Sequence, residues 1–472
     1  MKTDKLRYYS VVILYFFMLV IFLMISYGSD LSIKRLTYIA IFQLVLSLTI
    51  LTKRGYGLFS LPSLFLIVSF IFHLSHLILI LIDTPVIKWY DLRGFTSTET
   101  YIKSIVFTIK VQAFVLLGIL LAKKKSKRNE FNNMISQEKE SIDKRIIYKV
   151  GLILIMIGII PRLYVDINRF LLFLSGNYLA TYNLSLSGVI VVISGMVDTG
   201  IILVLIGKKG NPVFCKRVFI FSLIYLTLFM FSGHRASSII TIITLAYVYF
   251  DIIKSLNKKS VLFWGFISYL FVFLIGLIAD IRMLGDFSIK TIAEHAAKLI
   301  ISSPLLEILG EFGTSLKSVI YSIMTFPEIS SHSYGTNYLK GLLLVFPNIG
   351  GFLSSIISEI TYVFHFQNYA AMGGSYIGEL YYAAGDLGML FAVLVGLILG
   401  HVSNRLLYAK NIKNWMVYAL YIVVFPNILW WSRDFFYTMI REIVWTITLM
   451  LVLFTFFKSR SKYKSKTNIS VS

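Results

Sequence analysis

The sequence predicts an all-α protein that crosses a bilayer many times, and three observations carry that expectation. Hydrophobic residues make up 57% of the 472-residue chain and charged ones only 14%, far from a soluble globular composition. The apolar residues gather into about twelve runs of the 17 to 25 residues needed to cross the hydrocarbon core. The connections between runs alternate between strongly basic and roughly neutral, as the two sides of a membrane require.

Taken in order, nine runs fall in residues 1–280, centred on 8–27, 36–52, 58–82, 104–122, 146–165, 187–206, 217–232, 236–253 and 260–280. The first follows Lys2, Lys5 and Arg7, is long and has no small-residue cleavage site, so it reads as a retained signal anchor. The connection 123–145 has almost no apolar content and reads as a solvated hinge between two groups of spans. On the other face, 83–103 and 166–186 are short outward loops, and the aromatic residues of the second suit the interface. Three further runs, 387–404, 415–431 and 440–457, occupy 387–457, and a basic tail fills 458–472. No repeat at a fixed period is visible, which weakens an inverted-repeat transporter.

Residues 281–386 break the pattern. Here 287–301 and 305–325 carry apolar residues at three- and four-residue intervals, as amphipathic helices on or dipping into the outer leaflet do, and Pro304 and Pro327 bracket the second. Gly335 to Pro347 is too short to span and reads as re-entrant, which requires surrounding protein or a water-filled cavity. The whole stretch reads as a cap over a cavity.

The net charge of +22 would suggest nucleic acid if it were spread evenly. It is not. The segments 1–7, 53–57, 123–149, 207–217, 251–259, 405–414 and 458–472 hold 29 of the 45 Lys/Arg and 6 of the 23 Asp/Glu, a net +23, and the rest of the chain carries −1. The excess therefore marks the cytoplasmic side, with both termini inside, 281–386 facing outward and the tail touching anionic lipid; no nucleic-acid partner is expected. Cys215, the single cysteine, permits no intramolecular disulfide.

Arginines stand at the outer ends of spans in three places: Gly233-His234-Arg235 in a tight turn, Arg282 after Asp280, and Arg433-Asp434 shortly before Arg441-Glu442. A boundary arginine costs several kcal/mol unless it is paired or functional. Pairing is available to Arg282 through Asp280 and to Arg433 through Asp434, whereas Arg235 has no acidic neighbour in its own turn. On a continuous helix Arg433 and Arg441 would lie within about 80° of each other and about 12 Å apart, able to face one cavity. Guanidinium groups bind phosphate oxygens bidentately at any relevant pH, which suits a pyrophosphate held without a metal.

Other chemistry finds little support. His73 and His76 share a helix face but have no third ligand, and read as interhelical hydrogen-bonding residues. No paired-aspartate motif, phosphate-binding glycine loop or nucleophile elbow is present, so no metal and no cofactor is expected. Asp198, near the middle of its span, reads either as a proton carrier or as a partner inside the bundle.

The run Gly373-Gly374-Ser375-Tyr376-Ile377-Gly378-Glu379-Leu380-Tyr381-Tyr382, with Gly385, Gly388 and a span ending at His401, resembles the late signature of bacterial O-antigen polymerases of the Wzy type. The Gly233-His234-Arg235 turn, Glu311-Phe312, Gly335 to Pro347 and Arg433 to Arg441 follow in the order that family shows, although His234 stands where the related turn often has a small or hydroxyl residue. The resemblance covers the second half of the chain. It implies a GT-C-like fold and an inverting, metal-independent glycosyltransferase that joins undecaprenyl-pyrophosphate-linked oligosaccharide units at the outer face of the inner membrane. A flippase and a chain-length regulator are its implied partners. On this reading Arg235, Arg433, Arg441 and then Arg282 stabilise the leaving pyrophosphate. Glu379, Glu311 and His332, in that order, are candidates for the base that activates the attacking hydroxyl, with Glu379 equally readable as a residue that holds an arginine in place.

An O-antigen ligase would share the arginine logic. A flippase would also have about twelve spans, but with short loops, and a separate chain-length regulator would have few.

Overall fold

The computed structural model describes residue 15 and residues 32–122, 136–174, 188–230, 235–255, part of 264–277, 288–348, 351–365 and 373–469. Every regular element among them is a helix. The first group comprises α1 (Ile33–Lys53), α2 (Leu61–His73), α3 (His76–Leu81), α4 (Ile87–Tyr90) and α5 (Thr98–Leu121). Next come α6 (Gln137–Leu174), α7 (Gly188–Gly207), α8 (Pro212–Phe229) and α9 (Arg235–Val248), the last running into a π-helical turn. The cap region holds α10 (Ile289–Ser302), α11 (Pro304–Gly313), α12 (Leu316–Thr325), α13 (Thr336–Leu343) and α14 (Ser354–Ile360). The chain closes with α15 (Tyr376–Ala384), α16 (Gly388–Asn411), α17 (Trp415–Ile422), α18 (Phe425–Trp431) and α19 (Phe436–Ile469).

Seven helices among the described residues are long and apolar enough to cross a bilayer: α1, α5, α6, α7, α8, the α15–α16 unit and α19. That is fewer than the twelve expected, for local reasons. The run at 58–82 breaks at Leu74–Ser75, where the Ser75 hydroxyl donates to the carbonyls of Ile71 and Leu309. The run at 415–431 breaks before Pro426, which lacks an N–H and starts a new helix instead of extending the old one. The run 236–253 forms only a shorter apolar helix, Ser237–Ile253, and the runs 8–27 and 260–280 lie wholly or partly outside the described residues. One more crossing is available only if Ile289–Ile300 and Pro304–Thr325, bent by 90° at their junction, count as one broken span.

Small residues let the main helices approach closely, as packing without a hydrophobic driving force requires. Gly118 of α5 faces Gly396 of α16, where an added Cβ would lie 2.8 Å from the opposing Cα. A Cβ added at Gly151 or Gly158 of α6 would lie 2.9 or 2.8 Å from the carbonyl oxygens of Gly200 and Ile193 of α7. In the cap, the expected single helix over 305–325 is two, because the chain turns where Gly313 packs against His76. The segment 288–365 is tied to the closing helices: Ser322 Oγ donates to Gly378 O (2.8 Å), Ser333 N–H to Tyr382 O (3.0 Å) and Trp445 Nε1 to Val345 O (2.7 Å).

Candidate active site

α6 continues past the expected span end at 165, through Pro161, to Leu174. Continuous helix puts Arg162, Asp166 and Arg169 on one face at i, i+4 and i+7. Arg162 and Arg169 border a cavity of about 330 Å³ that α7, α8, α9, α18 and α19 complete, and Asp166 stands behind Arg162. Asp198 comes from α7, Ser237, Ser238 and Thr241 from α9, Trp430 from α18, and Thr438, Arg441 and Glu442 from α19. The size suits a small polar group. Three arginines and the carboxylates Asp198, Asp434 and Glu442 share this space.

The cations are not equivalent. Arg162 is held on both sides, its Nε donating to Asp166 (3.0 Å) and to the Tyr225 hydroxyl (3.2 Å), its Nη1 to Asp198 (3.3 Å), and its plane lying over the Phe229 ring at 4.9 Å. Tyr225 donates in turn to Asp166. By contrast the Nε atoms of Arg169 and Arg441 are buried with no hydrogen-bond partner among the described residues, as is one Asp198 oxygen. A buried donor left unmade costs about 1–3 kcal/mol, so an anion entering the cavity would recover that energy at two positions while Arg162 stays fixed. Asp434 is engaged by Trp430 Nε1 (2.7 Å), Thr438 Oγ1 (2.8 Å) and the Phe435 N–H (2.8 Å). Burial pushes its carboxyl above the usual range, and these bonds oppose the shift.

Of the arginines read from the sequence, Arg441 lines this cavity and Arg235 opens α9, whose next turn lines it. Arg433 does not. It precedes α19, so the continuous helix that would have put it on the same face as Arg441 is absent. It instead borders a smaller cavity of about 140 Å³ with Thr314, Lys317 and Gly374, its guanidinium 5.3 Å from the Phe72 ring. Arg282, Asp280, Gly233 and His234 lie outside the described residues.

The expected bases are elsewhere. Glu379 is 2% exposed and accepts from the Phe436 N–H (2.9 Å) and Trp431 Nε1 (3.3 Å), tying α15 to the corner that starts α19. Glu311 is half-buried on α11 and lines neither cavity. His332 sits near Phe326 and Tyr381, with ring centroids at 6.1 and 5.8 Å, and its buried Nδ1 has no partner among the described residues. His73 bridges Ser69 O (2.8 Å) and Ser375 Oγ (2.7 Å), and His76 meets the Tyr101 hydroxyl at 2.8 Å, as interhelical hydrogen-bonding residues would. Asp198 is a partner inside the bundle.

The sequence reading missed Arg162, Asp166 and Arg169. Their own spacing was a usable signal, three charges at helical intervals continuing a span into what was read as a loop.

The family model for the O-antigen polysaccharide polymerase Wzy matches residues 9–466. The chain belongs to the Wzy family. No curated protein and no solved structure matches it. The Wzy match takes in the first half of the chain as well as the second, and so includes every residue of the arginine cavity. It makes the protein a multi-pass membrane polymerase of the glycosyltransferase kind, acting in O-antigen assembly.

Proposed function

We propose that the protein lengthens O-antigen by moving a growing glycan from one undecaprenyl pyrophosphate to the terminal sugar of a second lipid-linked repeat unit, with inversion and without a metal. The observation that carries this reading is the pair of buried Arg169 and Arg441 Nε donors, without a partner among the described residues, beside a fixed Arg162. The acceptor hydroxyl attacks the anomeric carbon, the bond from that carbon to the pyrophosphate oxygen breaks, and the charge released collects where these guanidinium groups stand. The proton leaves to a carboxylate. Glu442, which lines the cavity, is placed for it better than Glu379, whose oxygens are occupied by the start of α19. Arg433, with Lys317 in the smaller cavity, supports binding of the second substrate.

The side of the membrane follows from the charge distribution. With 123–145 and both termini cytoplasmic, the residues lining the cavity fall on the outward halves of α6, α7, α9 and α19. The count of twelve spans, a GT-C-like arrangement, the inner-membrane location and the outward facing of 281–386 belong to the same proposal, as do a flippase that supplies substrate and a regulator that sets length.

Replacing Arg169 or Arg441 by Ala is expected to leave surface glycan capped with a single repeat unit. A full-length ladder from both stable variants would refute the cavity's role. Loss of all surface glycan would point instead to translocation of lipid-linked sugar.

A further inference from the structure

A second cavity, of about 540 Å³, opens at the far end of the same two helices. It is formed where the start of α6 meets the α7–α8 turn and the α16–α17 turn, and Lys144, Arg145, Lys208 and Lys413 line it. Lys144 and Arg162 are 18 residues apart on α6, about 27 Å along a helix axis and close to the thickness of a hydrocarbon core. The arginine cavity and this one therefore sit at opposite faces of one bilayer.

Its charge is not balanced. Glu140 is the acidic residue among those lining it, and Glu140 is already occupied by Lys144 (2.7 Å), Lys209 (3.4 Å) and the Trp415 indole N–H (3.0 Å). Beyond Lys144, which is paired with that anion, Arg145 from α6 and Lys208 and Lys413 from two turns surround the same concave space.

The backbone supplies an independent sign. Lys413 has φ 58, and the Asn414 N–H donates to Ala409 O (2.8 Å) while the Lys413 N–H donates to Lys410 O (3.1 Å). That is the Schellman pattern, with Lys413 at the left-handed position where glycine is strongly preferred. A lysine held there at a conformational cost is consistent with a use for its charge.

We propose that this cavity binds a phosphate-bearing anion at the membrane face opposite the arginine cavity, carried on a lipid headgroup or free in solution. The test uses the full chain in two arms: phosphatidylcholine nanodiscs with and without cardiolipin, and detergent with and without inorganic pyrophosphate, reading the melting shift and apparent affinity. Wild type is expected to be stabilised in at least one arm. Lys413→Gly and Arg145→Gln should each weaken the response roughly fivefold, while Lys53→Gln, on the same side but outside the cavity, changes it by less than twofold. Lys413→Gly relieves the backbone, so without anion it should melt no lower than wild type and its loss of response cannot be misfolding. A variant-sensitive response to cardiolipin assigns a lipid headgroup, and one to pyrophosphate assigns a free phosphate. A response that both variants keep in full, or none in either arm, overturns the proposal.

Discussion

At the scale of single residues, Arg162, Arg169 and Arg441 line one cavity but face different fates on substitution. Arg162 is braced by Asp166 and Asp198, so Asp198→Asn should disturb its aim without removing a cation, lowering polymerisation while substrate binding changes less. Glu442→Gln is expected to bind lipid-linked substrate and fail to extend it, by 10²- to 10⁴-fold if it is the base. In sequence Glu379 is readable as a base or as a holder of an arginine, and its hydrogen-bond partners are instead the Phe436 N–H and the Trp431 indole. Glu379→Ala strands the Phe436 N–H and the Trp431 indole and should cost about 1–3 kcal/mol, read as a lower melting temperature. Glu379→Gln retains an acceptor and should restore most of that stability and activity; a folded but inactive Gln variant would return Glu379 to the base. Arg441 was legible in the sequence because it stands beside a short, charged connection. Arg169 left only its helical spacing from Arg162 and Asp166 as a local signal; the partners that fix Arg162, Asp198 and Tyr225, lie 36 and 63 residues away, outside any local window.

At the scale of elements, hydropathy located the helices well and their interruptions poorly. The runs near 104–122, 187–206 and 440–457 each fall on one continuous helix, whereas 58–82 and 415–431 are each two. Whether an apolar run stays whole depends on side chains such as Ser75, which bonds a carbonyl in the cap, and on contacts that average hydropathy does not register. The glycine seams show the same limit. Gly118, Gly396 and Gly400 look unremarkable in sequence, yet Gly396→Leu would drive a side chain into the backbone of α5. It is expected to abolish monodisperse folded protein on size exclusion, while Leu397→Ala, one residue along the same helix, leaves it folded.

At the scale of the molecule, the arginine cavity and the basic cavity occupy opposite ends of α6 and α7, so one orientation fixes both. In a Cys215→Ser background, Glu328→Cys in the cap should react with a membrane-impermeant maleimide in intact cells and Ser141→Cys only after permeabilisation, and the reverse pattern would invert the topology. The charge count is what proposes that orientation, because it depends only on composition. Which residues meet in one cavity depends on packing, and there Arg433 and Arg441 part company. The central claim is that the Arg162, Arg169 and Arg441 cavity carries the leaving pyrophosphate. Elongation of lipid-linked repeat units by purified protein in nanodiscs tests it most directly. Arg169→Ala and Arg441→Ala are each expected to slow elongation by about 10²- to 10³-fold in variants that melt like wild type, and elongation at the wild-type rate by both would contradict the account.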